Sequence, residues 1–431
     1  MPALRNHAKW VLCGLLFLAT LLNYLDRQTM SVASTEIANE MHLTDTDLGR
    51  LFFAFYLSYG IAQVFIGTFL DRLSVGLAYA LAVTTWSLAG ASAALATGFA
   101  SLFFLRVLLG ICESPNWPLA LRLVACTFPP GQRALATGTF QCGTSVGALV
   151  APPVIIYLTT QYNWRVAFLA CGLVGLVWVV LWLVWFRSSF TARIDRGHPV
   201  AEEPRDSAPE QAARSARSPA TLSEILRSRA LWGMLLSTCF LNPLQYLYMT
   251  WLPRYYQHYA GVAFGKELAN RLVLAYLAYD VGLLLAGALV AGLAPSWGAV
   301  RARLAVGAAC TLCMMSIPAV SGQHDLNAIT AIICVAMFGL GGCIVNYLAF
   351  TAEVSAQKVS TAAGILGGAG SLAGSGFMLL VGDSIDRSGG FTFVFAMAGA
   401  MPLVSLVGMW FSTGPTRAAA PVAKLPVGSE E

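Results

Sequence analysis

Residues 10–38 read WVLCGLLFLATLLNYLDRQTMSVASTEIA, an apolar stretch that holds an aspartate and an arginine, Asp26 and Arg27, side by side. A second apolar stretch, near residues 102–124, holds Arg106 and Glu113. A charged side chain at membrane depth is costly unless it is paired or faces water, and such groups usually mark proton or substrate pathways. These four residues therefore indicate a membrane protein that handles protons or a charged substrate.

The composition of the chain supports this interpretation. Of its 431 residues, 57% are hydrophobic and only 11% are charged, whereas soluble globular proteins carry about 25% charged residues. Apolar segments of about 20 residues recur, each long enough to cross the hydrocarbon core as a helix. We count twelve, at residues 10–34, 49–70, 76–96, 99–125, 134–158, 165–186, 229–252, 270–292, 303–320, 327–349, 357–382 and 391–412. The pattern predicts an all-α membrane protein with twelve transmembrane helices.

The polar stretches of the chain divide these segments into six and six. Residues 188–228 are rich in Arg, Pro, Ala, Glu and Ser, a composition that predicts a cytoplasmic linker without a core of its own. The expected domains are an N-terminal six-helix bundle (1–187), the linker, a C-terminal six-helix bundle (229–412) and a cytoplasmic tail (413–431). Two bundles of this kind can rock around a site near the bilayer midplane.

The distribution of basic residues predicts the orientation. Most Lys and Arg residues between the segments fall on one side if the N-terminus is inside, so the positive-inside rule places both termini in the cytoplasm. The net charge of +5 follows from this bias and does not indicate nucleic-acid binding. Because the first helix carries Asp26 and Arg27 where a signal peptide is purely apolar, we expect no cleavable signal peptide.

The ten cysteines all lie in or at the ends of apolar segments. Cys310 and Cys313 have the spacing of a redox or zinc motif, but no second pair or histidine cluster accompanies them. We interpret them as small packing residues and expect no metal site and no cofactor. The chain also lacks a Gly-x-x-x-x-Gly-Lys-Ser/Thr run, which argues against a pump driven by ATP.

The loop after the second predicted helix reads GTFLDRLSVG, residues 67–76. It resembles the Gly-x-x-x-Asp-Arg-x-Gly signature of the major facilitator superfamily, with Ser74 where that family has glycine. The resemblance implies the major facilitator fold and gives Gly67, Asp71 and Arg72 a gating role. The equivalent loop of the second half, residues 292–303, lacks the aspartate. We therefore expect the cytoplasmic gate to be held less tightly than is usual.

Further motifs resemble the anion:cation symporter family within that superfamily. They are NYLDR at residues 23–27, LRVLLGICESP at 105–115 and GTSVGALVAPP at 143–153. Two others, FLNPLQYLYMTWLP at 240–253 and GILGGAGSLAG at 364–374, resemble its bacterial sugar-acid branch, which includes hexuronate and aldonate transporters. The resemblance implies a multi-pass protein of the bacterial inner membrane.

The resemblance also gives roles to the four charged residues. It makes Asp26 and Glu113 the proton-coupling carboxylates, with Asp26 paired to Arg106 and releasing it towards the substrate anion once protonated. Arg27 and Arg106 are then the substrate-binding arginines. Arg106 and Glu113 are two helical turns apart, too far for a mutual ion pair, so each is expected to pair with another helix. Static ion pairs that hold the bundle together are the alternative interpretation.

Uncharged polar residues extend the expected substrate site. The resemblance places Tyr59, Gln141, Asn346 and Tyr347 in contact with the substrate, and amide and phenol groups suit a polyhydroxylated acid. Packing or hydrogen bonding between helices is the alternative for each of them. Asp280, an acidic residue in the membrane part of the second half, either lines the cavity or caps a helix break.

The leading hypothesis is a proton-coupled secondary active transporter, a symporter that imports a sugar acid such as a hexuronate or aldonate by alternating access. The alternative is a transporter, exchanger or exporter of another small carboxylate, aromatic or dicarboxylic. No nucleophile–base constellation or metal set lies at membrane depth, so we do not expect an enzyme. The expected partners are the organic anion, protons and membrane lipid, for a monomer that does not bind nucleic acid.

Overall fold

The computed structural model describes residues 2–70, 74–186, 227–354 and 359–413, and every regular element in these ranges is a helix. The first half contains α1 (Pro2–Val32), α2 (Ser34–Met41), α3 (Asp45–Leu70), α4 (Val75–Ser92), α5 (Phe99–Glu113), α6 (Asn116–Thr127), α7 (Pro130–Gln161) and α8 (Trp164–Phe186). The second half contains α9 (Arg229–Arg254), α10 (Lys266–Trp297), α11 (Ala299–Met314), α12 (Leu326–Val354), α13 (Val359–Ser388) and α14 (Thr392–Thr413).

Short helical turns complete some of these elements. They are 3₁₀ segments at Ala93–Leu95 and Ile317–Gly322 and a π-helical segment at Tyr255–Tyr259. In the described ranges, each of the twelve predicted segments overlaps one long helix, except the fourth, which is divided between α5 and α6. Nine helices in the same ranges are long and apolar enough to cross a membrane. The all-α membrane fold expected from the sequence is thus confirmed.

The division of the fourth segment lies at a proline. Pro115 has no backbone N–H and cannot continue the hydrogen-bond ladder of a preceding helix. α5 ends at Glu113 and α6 begins at Asn116, so the fourth predicted segment is interrupted beside Pro115. This interruption places the Glu113 carboxylate at the last residue of α5, inside the first half, where its side chain is fully buried.

The outer surface of the molecule is apolar. On α8, for example, Leu173, Val177, Leu181 and Val184 follow helical spacing, and each is more than half exposed. In a soluble protein such a stripe would be a liability, but lipid tails are as apolar as these side chains. The stripe therefore fits a helix that faces the bilayer.

Close packing inside the first half depends on small residues. A Cβ added to Gly147 on α7 would lie 2.8 Å from the carbonyl oxygen of Leu21 and 2.9 Å from the Cβ of Tyr24, both on α1. Membrane helices gain little from apolar contact with one another, so close backbone approach at small residues drives their association. This contact fixes α1, which carries Asp26 and Arg27, against α7.

Among the described residues, the two halves meet mainly along three helix pairs: α3 with α13, α7 with α10, and α1 with α9. The predicted linker and tail fall largely on residues 187–226 and 414–431, which lie outside the described residues. The expected division into bundles over 1–187 and 229–412 remains our working division. Side chains on these helix pairs are therefore placed to reach a ligand between the halves.

Candidate transport site

The centre of the first half holds an ion pair between α1 and α5. Arg27 Nε donates to Glu113 Oε2 at 2.6 Å. The Glu113 side chain is fully buried, whereas the Arg27 side chain keeps 17% exposure. A charge-assisted hydrogen bond of this length is strong, and removing either partner would leave the other charge buried alone. Glu113 was expected to pair with a residue on another helix, and the structure shows that this residue is Arg27.

Aromatic rings enclose the Arg27 guanidinium. Its Cζ lies 4.5 Å from the ring centroid of Tyr59 and 5.4 Å from those of Tyr24 and Phe55. Rings at these distances attract a cation through their quadrupoles and restrict its rotamer. Tyr59 is thus part of the charged cluster, although its predicted contact with the substrate remains a prediction.

The expected ion pair between Asp26 and Arg106 is wrong for this conformation. Among the described residues, no nitrogen–oxygen pair of these two side chains lies within 4.0 Å. Asp26 faces Gly90 of α4, and the Arg106 Cζ lies 5.7 Å from the ring centroid of Phe168. Adjacent residues on a helix point about 100° apart, so Asp26 cannot share the direction that Arg27 takes towards α5.

Three charged side chains of this cluster each have a buried polar atom without a hydrogen-bond partner in the described part of the chain. The atoms are Asp26 Oδ2, Arg106 Nε and Glu113 Oε1. Unsatisfied polar atoms are uncommon in protein interiors because each one loses its hydration without compensation. Here they lie on three of the four charged residues that the sequence singled out. The two carboxylate oxygens can therefore still accept a proton, and Arg106 Nε can still donate to an anion.

The remaining predicted site residues are more widely spread. Gln141 is half-buried on α7. Asn346 and Tyr347 are buried on α12, where Asn346 Nδ2 donates to the carbonyl of Gly342 on its own helix at 2.9 Å. For Asn346 the structure shows a contact within one helix, and the substrate roles of all three residues remain predictions.

A second group of contacts, on α7, α9, α10 and α13, was largely missed by sequence reasoning. The Ser145 hydroxyl donates to Asp280 Oδ1 at 2.7 Å, which joins α7 to α10 across the two halves. Gln245 Nε2 donates to the Tyr279 hydroxyl at 3.4 Å. Only Asp280 was noticeable in the sequence, because isolated serines and glutamines are common in membrane helices.

An aromatic stack reinforces this contact between the halves. The rings of Tyr56 on α3 and Tyr246 on α9 are nearly parallel, with centroids 3.9 Å apart. The Tyr246 and Ser371 hydroxyls lie 3.2 Å apart, which adds α13 to the group. The second half thus presents hydroxyl and amide groups where it faces the charged first half.

A buried ion pair closes one end of the interface. Arg254 Nε donates to Asp45 Oδ1 at 2.9 Å, and both side chains are about 5% exposed (5% and 6%). The Tyr259 hydroxyl donates to the other oxygen of Asp45 at 2.7 Å. Asp386 accepts the backbone N–H groups of Asp45 and Thr46 at 3.2 and 2.7 Å, and so caps α3 from the opposite half. We call these four residues, Asp45, Arg254, Tyr259 and Asp386, the end lock.

Sequence reasoning also missed the end lock, although a signal was present. Asp45 begins α3 and Arg254 ends α9, and both charges lie a few residues outside the predicted segments 49–70 and 229–252. The predicted gating residues lie at the other end of α3. Asp71 and Arg72 lie outside the described residues, and nothing is described of the surroundings of Gly67. Their gating role remains a prediction.

Within the described residues, no group of three or more His, Cys, Asp or Glu side chains is placed to hold a metal ion.

A family model for the Major Facilitator Superfamily matches residues 16–378 of the chain. The chain belongs to the Major Facilitator Superfamily. It is therefore a multi-pass membrane transporter and not an enzyme, as the sequence motifs led us to expect.

Relatives within the superfamily transport sugar acids according to their names. The chain is 27% identical to the hexuronate transporter of Escherichia coli (strain K12), with 93% of each chain covered. It is 28% identical to the D-galactonate transporter of Escherichia coli O6:H1, over 91% of this chain and 94% of that one. It is 30% identical to a probable L-galactonate transporter of strain K12, over 66% of this chain and 60% of that one. These relatives agree with the expected hexuronate and aldonate branch.

A solved structure shows the same fold. A bacterial homolog of the human lysosomal transporter Spinster, in an inward-facing and unoccupied conformation, matches with a TM-score of 0.72. The two sequences are 18% identical, and the match covers 94% of this chain and 95% of that one. At this identity the likeness supports the superfamily fold and nothing finer.

Proposed function

We propose that this protein is a proton-coupled symporter that imports a sugar acid, a hexuronate or an aldonate, by alternating access. The observation that carries the proposal is the buried pair of Arg27 and Glu113 within its aromatic enclosure. A fully buried carboxylate at this depth is tolerated either when it is paired with a cation or when it is protonated. If Glu113 alternates between these two states, Arg27 can exchange the Glu113 carboxylate for the carboxylate of a substrate.

Coupling then follows from competition for Arg27. While Glu113 is ionised, its Oε2 accepts the Nε hydrogen bond and neutralises the guanidinium. Once Glu113 takes up a proton, Arg27 is a buried cation that attracts the carboxylate of the substrate. Proton uptake by Glu113 is thus linked to binding of the anion. The Arg27 charge is neutralised by Glu113 in one state and by the substrate carboxylate in the other, so the halves can move without exposing an uncompensated charge to hydrocarbon.

Asp26 and Arg106 extend this mechanism. Both are buried, and each keeps an atom without a hydrogen-bond partner among the described residues. We infer that Asp26 is the second proton-coupling carboxylate and that Arg106 joins Arg27 at the substrate carboxylate. Their separation in this conformation means that a rotation of α1 or α5 would be needed to pair them.

The hydroxylated part of the substrate would contact the second half. Gln245, Tyr279 and Asp280 offer amide, phenol and carboxylate groups there, and the predicted contacts Asn346 and Tyr347 add to them. Tyr59 and Gln141 would complete the site from the first half. Groups of this kind hydrogen-bond alcohols. The names of the relatives support the same substrate class.

Alternating access would require the end lock to open. The lock lies at the end where α3 begins and α13 ends, away from the start of α1 and the end of α14. With both termini in the cytoplasm, as the basic residues predict, this conformation is closed towards the periplasm. We place the protein in the bacterial inner membrane as a monomer, with the gate at Gly67, Asp71 and Arg72 closing the cytoplasmic side in the opposite state.

Uptake of labelled galacturonate by proteoliposomes, with and without an imposed proton gradient, tests the proposal. Glucuronate, gluconate and galactonate should compete at millimolar concentration or below, and lactate and benzoate should not. Competition by lactate or benzoate in the absence of competition by any sugar acid would show that the substrate class is wrong. Reversing the proton gradient in the same assay shows in which direction the protein transports the sugar acid.

A further inference from the structure

We propose that Asp280 makes this transporter select sugar acids with one carboxylate and reject sugar diacids, because it holds a fixed negative charge opposite the arginine site. The proposal rests on the proposed function and adds a determinant of specificity to it. Three observations support it: the position of the Asp280 side chain, its hydrogen bond with Ser145, and the lack of an ion pair to Asp280 among the described residues.

Asp280 lies where the two halves meet. It is half-buried on α10, and Oδ1 accepts the hydroxyl of Ser145 on α7 at 2.7 Å. Ser145 follows Gln141 by four residues, so the two side chains share one face of α7. The Asp280 carboxylate thus contacts the same helix face that carries a predicted substrate contact.

The same segment of α7 leads to the arginine site. Gly147, two residues after Ser145, packs against Tyr24 of α1. The ring of Tyr24 in turn lies 5.4 Å from the Cζ of Arg27. Residues two positions apart on a helix point about 160° apart, so Arg27 lies on the α1 side of this stretch of α7 and Asp280 lies on its α10 side. In our proposal, a substrate whose carboxylate is bound to Arg27 spans the space between these two sides and reaches Asp280 with its far end.

No cation compensates Asp280 in the part of the chain that the structure describes. Its hydrogen bond comes from a neutral hydroxyl, and the ion pairs of the described residues do not include it. This differs from Glu113 and Asp45, which each pair with an arginine. An uncompensated carboxylate has free lone pairs for alcohol donors. It repels a second carboxylate placed in the same position.

The proposed discrimination concerns one group at the end of the ligand. Galactonate ends in a primary alcohol, which can donate to Asp280. Galactarate has the same chain but ends in a second carboxylate, which cannot donate when ionised and meets a like charge. We expect galactonate to be preferred by about tenfold or more, since a like-charge contact costs enough to change binding by that factor.

Competition in proteoliposomes tests this inference. Wild-type protein and the Asp280→Asn variant are compared for inhibition of labelled galactonate uptake by unlabelled galactonate and galactarate, under the same proton gradient. Asparagine keeps the size of the side chain and removes its charge. In Asp280→Asn, the preference for galactonate over galactarate should fall by about tenfold. Ser145→Ala is the matched control, since it removes the hydrogen bond to Asp280, leaves the charge and should keep the wild-type preference.

Two results would overturn the inference in distinguishable ways. If Asp280→Asn transports galactonate with an unchanged preference, Asp280 does not select against diacids, while the proposed function stands. If the wild-type protein takes up neither acid and no other sugar acid competes, the proposed function fails and the inference with it. Should Asp280→Asn not be recovered as a folded protein, the neutral and smaller Asp280→Ser variant gives the same comparison.

Discussion

At the scale of single residues, the account depends on one arginine that has two possible carboxylate partners. Arg27 is held by Glu113 and three rings in this conformation. A guanidinium is planar and offers a fork of donors, so it can bind a carboxylate through two hydrogen bonds and stack on a ring at the same time. A lysine ammonium at the same position keeps the charge but loses both properties.

We therefore expect Arg27→Lys to lower the affinity for galactonate by at least about tenfold, the loss of a charge-assisted hydrogen bond of roughly 1.5–3 kcal/mol. Calorimetric titration of the purified protein measures it. Arg50→Lys is the control, because Arg50 makes an exposed ion pair with Asp47 on α3. Equal affinities in wild type and Arg27→Lys would mean that Arg27 does not bind the substrate.

At the scale of helices, close packing and the end lock determine which movements are possible. Gly147 shows how closely α1 and α7 pack, because an added methyl group would lie 2.8 Å from the carbonyl oxygen of Leu21. We expect Gly147→Ala to lower the stability of the protein by about 1–3 kcal/mol, a typical result of overpacking. Gly138, also on α7, has no neighbouring atom within 4 Å of such a methyl.

Gly138→Ala should therefore be neutral or stabilising by about 0.5–1 kcal/mol, because alanine favours a helix over glycine. Thermal unfolding of both variants in the same detergent compares them. A larger loss in Gly138→Ala than in Gly147→Ala would show that α1 and α7 do not pack as described.

The end lock makes a second prediction at this scale. Arg254→Gln leaves the Asp45 carboxylate buried with a tyrosine hydroxyl but no cation. Removing one partner of a buried ion pair costs about 3–5 kcal/mol, whereas an exposed pair contributes about 0–1 kcal/mol. Arg254→Gln should thus lower the melting temperature clearly, and Arg50→Gln should barely change it. Similar shifts in both variants would show that the lock does not hold the halves together.

The sequence predicted helices well and contacts between helices poorly, for a physical reason. Apolar length is a local feature, so the segments could be read directly from the sequence. Which carboxylate meets which arginine depends on how each helix is rotated about its axis. Asp26 and Arg27 are adjacent, so a rotation of about 100° exchanges their directions. The motif resemblance placed Asp26 beside Arg106, whereas the structure pairs Arg27 with Glu113.

The end lock and the contact between Ser145 and Asp280 were unpredictable for a related reason. Asp45 and Arg254 are 209 residues apart, and Ser145 and Asp280 are 135 apart. Such pairs form only after the two halves have assembled, and no local pattern records which side chains will then face each other. Asp280 attracted attention only because an acidic residue is rare at membrane depth.

At the scale of the whole molecule, the chain is a superfamily transporter with a charged site inside its first half. A polar site and a lock lie where the two halves meet. These parts explain proton coupling only if proton and substrate use the same site. If Arg27 and Glu113 form a static ion pair, they stabilise the fold but do not couple proton movement to substrate transport. The two interpretations differ in what happens when Glu113 can no longer ionise.

The most direct test is accumulation of labelled galactonate against its own gradient in proteoliposomes, for wild type and Glu113→Gln. Wild-type protein should concentrate galactonate when the outside is acidic. Glu113→Gln, which mimics the protonated residue, should exchange galactonate across the membrane but fail to concentrate it. If Glu113→Gln concentrates galactonate as well as the wild type does, Glu113 does not couple proton to anion, and the central claim is contradicted.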